Sequence, residues 1–523
     1  MTAFITHNMA PMMFAGLILF MLIGYPAAFS LGACALFFLI LGVEYGLLAP
    51  NYIGLAVYQL DGIFANQLLL SIPFFTLMGA ILERCGLAED LLESIGQLFG
   101  PVRGGLSYAV IVVGAILGAI TGTVAASVIA MAVIALPLML RYGYSVRHTT
   151  GVIAASGTIT QLIPPSLVLV ILAEQLGRSV GDMYAGAIGP SLIQIALFCG
   201  WVAFLSVFFP KDVPALPPEA RTLRGTPSTP KVIYITVLSI LVIVATFMGF
   251  WEDRLTPILI WFGIALVATI AVIPVLRQWP LMWKAARGIV PSMALILIVL
   301  GTIFAGVANA TAAGALGVLG AFALAWMNGR LTWSLTYQSM ANTMRITAMV
   351  VFILIGSRMF SLVFQGVGGK EWVEGMLTNL PGGQTGFLFF TMAFIFVIAF
   401  FLDFFEIAFI IVPLLTPAAE KLGIDLVWFG VLVCANIQTS FMHPPFGFAL
   451  FYLRGIAPKS VKTTDIYWGA VPWLFLQVAL VIILIFWPTS VTYWLTKTIN
   501  DPSKVKIEIQ MPDMDNLPPP NFR

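Results

Sequence analysis

Charge is what this 523-residue chain has least of: Asp, Glu, Lys and Arg together make up 9% of it, against about a quarter in soluble domains. The formal net charge is +2, so there is no strong basic field for a nucleic acid, and no nucleic-acid partner is expected. Cysteine and histidine are also scarce, at four and three residues. Cys34, Cys85, Cys199 and Cys434 lie in or beside separate apolar segments, and none has metal or redox spacing. They read as packing residues, and no transition-metal site is expected. Walker A, HExxH and nucleophile-elbow motifs are missing. Direct use of ATP, an enzyme activity and an organic cofactor are therefore not expected. Met1 to Asn8 has no basic region, and the apolar stretch after it is too long for a cleaved signal.

Apolar residues are abundant, at 60%. Many runs reach the ~20 residues that cross a bilayer, and the chain reads as an all-α polytopic membrane protein of about 12 spans.

The informative stretch is Ser156-Gly-Thr-Ile-Thr-Gln-Leu-Ile-Pro-Pro-Ser166, inside an apolar segment at 150–176. Pro164 and Pro165 lack amide protons, and each disfavours helical geometry in the residue before it. A helix must break here, at membrane depth, where irregular backbone survives only if protein buries it or it lines a cavity. The chain repeats the pattern. A shift of 280 residues places Pro137 on Pro417, Gly143 on Gly423, Ser156 on Asn436, Thr160 on Ser440, and Pro164-Pro165 on Pro444-Pro445. One broken helix can be an accident of packing. Two at matching register point to a transporter's binding site.

Around these breaks the chain divides as follows. Residues 1–209 form a first repeat with a hairpin at 106–140 that turns at Thr121-Gly122-Thr123, and a broken helix at 150–176. Each hairpin is read as re-entrant because its segment is too short for two full crossings. Residues 210–231, rich in proline, form an extended aqueous linker, and 232–287 contain an inserted helix pair. Residues 288–490 form the second repeat, with a hairpin at 386–419 and a broken helix at 427–453; 491–523 is a polar tail. Spans are expected at 63–84 and 345–366, and an amphipathic helix at 87–99 lies in the interface or connects through solvent. The linker's Lys211, Arg221, Arg224 and Lys231, with Arg277, Lys284 and Arg287, mark the cytoplasmic side. This places the mouth of the first hairpin inside and that of the second outside, making the halves inverted repeats.

Asp403 sits at the second hairpin's turn, in the register of Thr123. A carboxylate at that depth is costly unless it is paired. It is read as a cation ligand or as an organiser of the hairpin tip. A plain helix cap is the alternative, and the two roles can coexist. Glu406 lies in the membrane interior or at the interface. The oxygens of Ser156, Thr158, Thr160, Asn436, Thr439 and Ser440 suit sodium, although an isolated hydroxyl usually bonds its own backbone. Helix halves that start after Pro165 and Pro445 aim positive dipole ends at the midplane, which favours an anionic substrate. Gln161, Pro164, Pro165, Ser166, His443, Pro444 and Pro445 stand at the tips, where substrate would bind; Gln161 and His443 read equally well as support.

Taken together, Ser156-Gly-Thr…Ile163-Pro-Pro-Ser166, Phe401-Leu-Asp403…Pro413…Pro417…Gly423-Ile-Asp425 and Asn436…Ser440…Pro444-Pro-Phe-Gly447 resemble the large membrane subunit of tripartite ATP-independent periplasmic (TRAP) transporters. The resemblance covers nearly the whole chain apart from the linker, the inserted pair and the tail. It implies an inverted-repeat elevator transporter, with a scaffold and a moving unit, that imports an organic acid with sodium across the bacterial inner membrane. It also implies two partners, a small four-helix membrane subunit and a periplasmic substrate-binding protein. By the same resemblance, one sodium site takes Thr121, Gly122, Thr123 and Ser156-Gly157-Thr158; the other takes Asp403 with Asn436, Thr439 and Ser440. The chain departs from the shorter family pattern in the inserted helices, and in Met442-His443, where a small hydroxyl residue is commoner. Phe446-Gly-Phe-Ala-Leu-Phe-Tyr452 resembles the branch often assigned to mannitol or chloroaromatic compounds, but the dipole argument still favours a carboxylate such as a 2-oxo acid. A stand-alone sodium/carboxylate symporter of the divalent-anion type is the alternative. A membrane scaffold is a third class, and Asp403 at depth argues against it.

Overall fold

The computed structural model describes residues 2–121, 123–221, 264, 280–400 and 402–495. Gly122, the linker beyond Arg221, nearly all of the inserted pair and the tail beyond Leu495 lie outside the described residues.

Among the described residues all regular structure is helical. Six helices among the described residues are long and apolar enough to cross a bilayer: Ala27–Glu44, Val124–Arg141, Val180–Phe208, Ala310–Met327, Trp333–Gly366 and Thr463–Phe486. Gly369–Thr378 and Gly383–Ile398, bent by 116°, add a seventh if taken together. The first apolar stretch is interrupted at Gly24-Tyr25-Pro26. Gly24, at φ +92°, closes Met9–Ile23, and Pro26 opens Ala27–Glu44. The amphipathic segment is a helix over Leu87–Phe99, as its periodicity predicts.

Two spans differ from expectation. The span expected at 63–84 takes in the end of helix Tyr52–Phe64, a 3₁₀ turn at Gln67–Leu70 and a helix that begins only at Ser71 and runs to Arg84. Pro73 falls in the first turn of that last helix, where its missing amide costs nothing. The span expected at 345–366 begins earlier, at Trp333. The Thr332 hydroxyl caps it by accepting from the Leu335 amide at 3.1 Å, and neither Gly nor Pro interrupts the chain before Gly356. A helix at Pro280–Phe304 runs across residues 287–288, where the sequence divides the inserted pair from the second repeat.

The start of the linker is docked rather than free in water. Val213 and Leu216 are buried. Gly104 donates to the Val213 carbonyl at 2.9 Å, Leu216 to Gly100 at 2.9 Å, and Ser145 to Asp212 at 3.0 Å. Two apolar side chains three residues apart suffice to pin this short segment against the foot of the first hairpin.

The halves exchange helices. Ala27–Glu44 packs on Trp333–Gly366, and Ala310–Met327 packs on Ser71–Arg84. Deeper in the molecule, Thr463–Phe486 packs on Val146–Thr158, and Val180–Phe208 packs on Leu426–Ser440. Lipid is as apolar as leucine, so close packing rather than transfer from water holds such helices, and small residues let backbones approach. A Cβ on Gly356 would stand 2.7 Å from the Ala28 carbonyl oxygen, and one on Gly151 would overlap the carbonyl of Gly469.

Candidate functional site

Both proline pairs end a helix and start another. The first runs as helix Val146–Thr158, a 3₁₀ turn at Ile159–Gln161, an irregular stretch, and helix Leu167–Gln175. The second runs as helix Leu426–Ser440, an irregular stretch, and helix Phe448–Ile456. Pro164-Pro165 and Pro444-Pro445 are cis in both copies.

The break lies later than Ser156-Gly157-Thr158, which the sequence places inside the unwound stretch. All three are helical, as are Asn436, Thr439 and Ser440. The reason is local. Proline removes only its own amide, so the first carbonyls to lose helical partners are four residues earlier, at Thr160 and Gln161, and at Ser440 and Phe441. Gln161 O instead accepts from Cys434 Sγ at 3.2 Å, and Phe441 O from the Ala449 amide at 3.1 Å. The Cys434 contact also brings the two broken helices together.

The hydroxyls bond within their own helices. Thr158 donates to Ala155 O at 2.8 Å, Thr160 to Gly157 O at 3.0 Å, Thr439 to Asn436 O at 2.7 Å and Ser440 to Ile437 O at 2.6 Å. Each oxygen still carries lone pairs that can accept a donor or a cation. Ser156 Oγ is fully buried and has no hydrogen-bond partner among the described residues.

The first hairpin closes on the first break. Helices Gly105–Thr121 and Val124–Arg141 pack on each other and on Val146–Thr158. Contact is made through glycines four apart, whose role the sequence reading missed despite their spacing. A Cβ on Gly114 would lie 2.7 Å from Ser156 Cβ, and one on Gly118 would lie 2.8 Å from Thr160 Cα. Gly157 leaves room for Val128, whose Cγ2 a Cβ there would overlap. Thr123 is extended, at φ −128° and ψ 132°, just before the second arm; Thr121 ends the first arm.

The second hairpin is anchored by Asn436, whose Nδ2 donates to Met392 O at 2.8 Å. At its turn, Asp403 forms a reciprocal capping box with Glu406. The Glu406 amide donates to Asp403 Oδ1 at 3.0 Å, and the Asp403 amide donates to Glu406 Oε2 at 3.0 Å. The cap reading of Asp403 is therefore realised, with Glu406 as its partner. A π turn at Ile407–Ile411 follows, and the Ser357 hydroxyl of helix Trp333–Gly366 donates to the Phe409 carbonyl there. At the far end of this arm, Lys421 Nζ donates to Glu374 Oε1 at 2.6 Å.

The two tips differ. Pro164, Pro165 and Ser166 are buried; Ser166 caps the next helix by accepting from the Val168 amide at 3.2 Å. Gln161 is buried with neither side-chain polar atom partnered among the described residues. At the other tip Pro444 is half-buried, Pro445 and Phe446 are exposed, and no side chain among the described residues caps helix Phe448–Ile456. His443 is buried between Phe396 and Phe400, at ring separations of 4.1 and 4.2 Å.

The sequence reading missed two glutamines. Gln477 Nε2 donates to Thr158 Oγ1 at 2.7 Å, and Gln194 Nε2 to Gln438 Oε1 at 2.5 Å. The available signal was a lone amide in the middle of a long apolar helix.

Comparison with known proteins points one way. The family model for the tripartite ATP-independent periplasmic transporter DctM component matches residues 14–490. The chain is 26% identical to the C4-dicarboxylate TRAP transporter large permease protein DctM of Rhodobacter capsulatus, over 92% of this chain and 97% of that one. It is 25% identical to the ectoine TRAP transporter large permease protein TeaC of Halomonas elongata, with the same coverages. It is 23% identical to the 2,3-diketo-L-gulonate TRAP transporter large permease protein YiaN of Escherichia coli, over 80% and 84%. Among solved structures, the Alcanivorax borkumensis YdaH transporter shares the fold, with a TM-score of 0.51 at 12% identity, over 84% of this chain and 90% of that one.

Proposed function

This chain belongs to the DctM component family of tripartite ATP-independent periplasmic transporters, and we propose that it imports a small organic-acid anion across the bacterial inner membrane, driven by sodium. The observation that carries this reading is the meeting of two interrupted helices at Gln161 and Cys434, each ending in a cluster of small oxygens. Sodium takes oxygen ligands, and the candidate sets are Thr121, Gly122, Thr123, Ser156, Gly157 and Thr158 for one ion, and Asp403, Asn436, Thr439 and Ser440 for the other. The substrate sits between the tips, against Gln161, Pro164, Pro165, Ser166, His443, Pro444 and Pro445. Its carboxylate faces the amino ends of helices Leu167–Gln175 and Phe448–Ile456. Relatives named for C4-dicarboxylate and 2,3-diketo-L-gulonate support an acid.

Residues 1–209 and 288–490 are inverted repeats in this reading, supported by the reciprocal exchange of helices. The hairpins and broken helices move as one unit past a scaffold that includes Ala27–Glu44 and Trp333–Gly366. A small four-helix membrane subunit and a periplasmic binding protein complete the system.

The test is uptake of labelled C3 to C6 organic acids into proteoliposomes, by this chain alone and with both partners, with and without a sodium gradient. Uptake that needs both partners and sodium is expected. Sodium-driven uptake by the chain alone would replace the tripartite reading with a stand-alone symporter. Uptake indifferent to sodium would remove the ion sites.

A further inference from the structure

We propose that Gln477 and Gln194 are matched positioning residues, each holding the broken helix of the opposite half at the level where the ions bind. This rests on the sodium reading above. A primary amide in the middle of a membrane helix is expensive to bury, and such residues are retained where they do something. Both glutamines are fully buried. Gln194 stands fourteen residues after Val180, the first residue of its helix, and Gln477 stands fourteen after Thr463. Their acceptors also correspond, since Thr158 falls on Gln438 under the 280-residue shift. Each final helix of a half thus reaches across the molecule and donates to the same register of the other half's break.

The chemistry differs at the two ends. The Thr158 hydroxyl spends its proton on Ala155 O and accepts from Gln477, which leaves one lone pair whose direction Gln477 fixes. That lone pair belongs to the first candidate sodium set. Gln477 therefore acts through Thr158 much as an outer-shell partner orients a metal ligand. Gln194 meets a second amide at Gln438, so it sets the position of the second break without touching a hydroxyl of the set.

The test uses the full chain with its partners in proteoliposomes, and compares Gln477→Met, close in volume and apolar, with Thr158→Val and with the double variant. Gln477→Met is expected to raise the sodium concentration for half-maximal uptake about tenfold, with the maximal rate held within about twofold. The double variant should be no worse than the weaker single, because both changes remove one arrangement. A lower maximal rate at unchanged sodium dependence, or additive losses in the double variant, would overturn the inference.

Thermal unfolding of the same variants in detergent gives a second cycle that needs no sodium. Coupled losses support the brace and additive losses overturn it, including where a variant folds too poorly for uptake. If the wild-type protein shows no sodium response, the sodium reading falls, and this unfolding cycle alone decides the brace.

Discussion

The carboxylate of Glu174 binds Arg358 and Asn66 at once, with Oε1 3.5 Å from the guanidinium and 2.5 Å from Asn66 Nδ2. Glu174 ends the second half of the first broken helix, whereas Arg358 lies on the long helix Trp333–Gly366, one residue after the Ser357 that holds the π turn. Adjacent residues of one helix thus grip both broken and hairpin elements. If those elements move past that helix, this grip opens in every cycle.

Arg358→Gln is expected to lower stability by about 1–3 kcal/mol, since it leaves a largely buried carboxylate short of its charge partner, at the lower end because the arginine is half exposed. Glu174→Gln with Arg358→Gln should recover most of that loss and change the uptake rate without changing substrate half-saturation. Thermal unfolding and initial rates read both. Wild-type values in the single variant would show that the bridge does no work.

Asp403 offers a separation of roles. Asparagine caps a helix as well as aspartate, whereas alanine gives up about 0.5–2 kcal/mol of cap. Asp403→Asn should therefore stay close to wild type in thermal unfolding and yet lose sodium-dependent uptake. Asp403→Ala should lose both. Full uptake by the asparagine variant would reduce this carboxylate to a cap.

Gly118 and Gly200 form a matched pair of tests. A Cβ on Gly118 would press on the backbone of Thr160, whereas one on Gly200 meets no described residue within 4 Å. Gly118→Ala should destabilise by about 1–3 kcal/mol through overpacking. Gly200→Ala should stay within about 1 kcal/mol of wild type. Equal behaviour of the two in thermal unfolding would mean that the hairpin can back away from the break.

The breaks were legible because proline acts on its own neighbours: Pro164-Pro165 and Pro444-Pro445 declare themselves in any sequence. Asp403 was legible by depth, since a carboxylate surrounded by apolar residues needs a reason. Its partner Glu406 was not, because reciprocal capping requires knowing where the helix begins. The extent of unwinding was misjudged for the same reason, as helix geometry persists through Thr158 and Ser440 until amides run out. Gln194 and Gln477 escaped notice because their meaning lies 244 residues from Gln194 and 319 from Gln477, in partners that only the fold brings near. Val213 and Leu216 looked like linker because two apolar residues make no period.

The exchange of helices between halves has a consequence for how the protein is made. Helix Val146–Thr158 emerges early, but the helix that covers it does not begin until Thr463. At a synthesis rate of 5–20 residues per second, the roughly 300 residues between them take on the order of 15–60 s. Throughout that interval Thr158 has no Gln477 and Gly151 has no Gly469. The first half must enter the bilayer as an unfinished surface, shielded by lipid, the insertion machinery or a membrane chaperone. Truncation anywhere before Thr463 would leave that surface permanently open, a signature that membrane quality-control proteases could read.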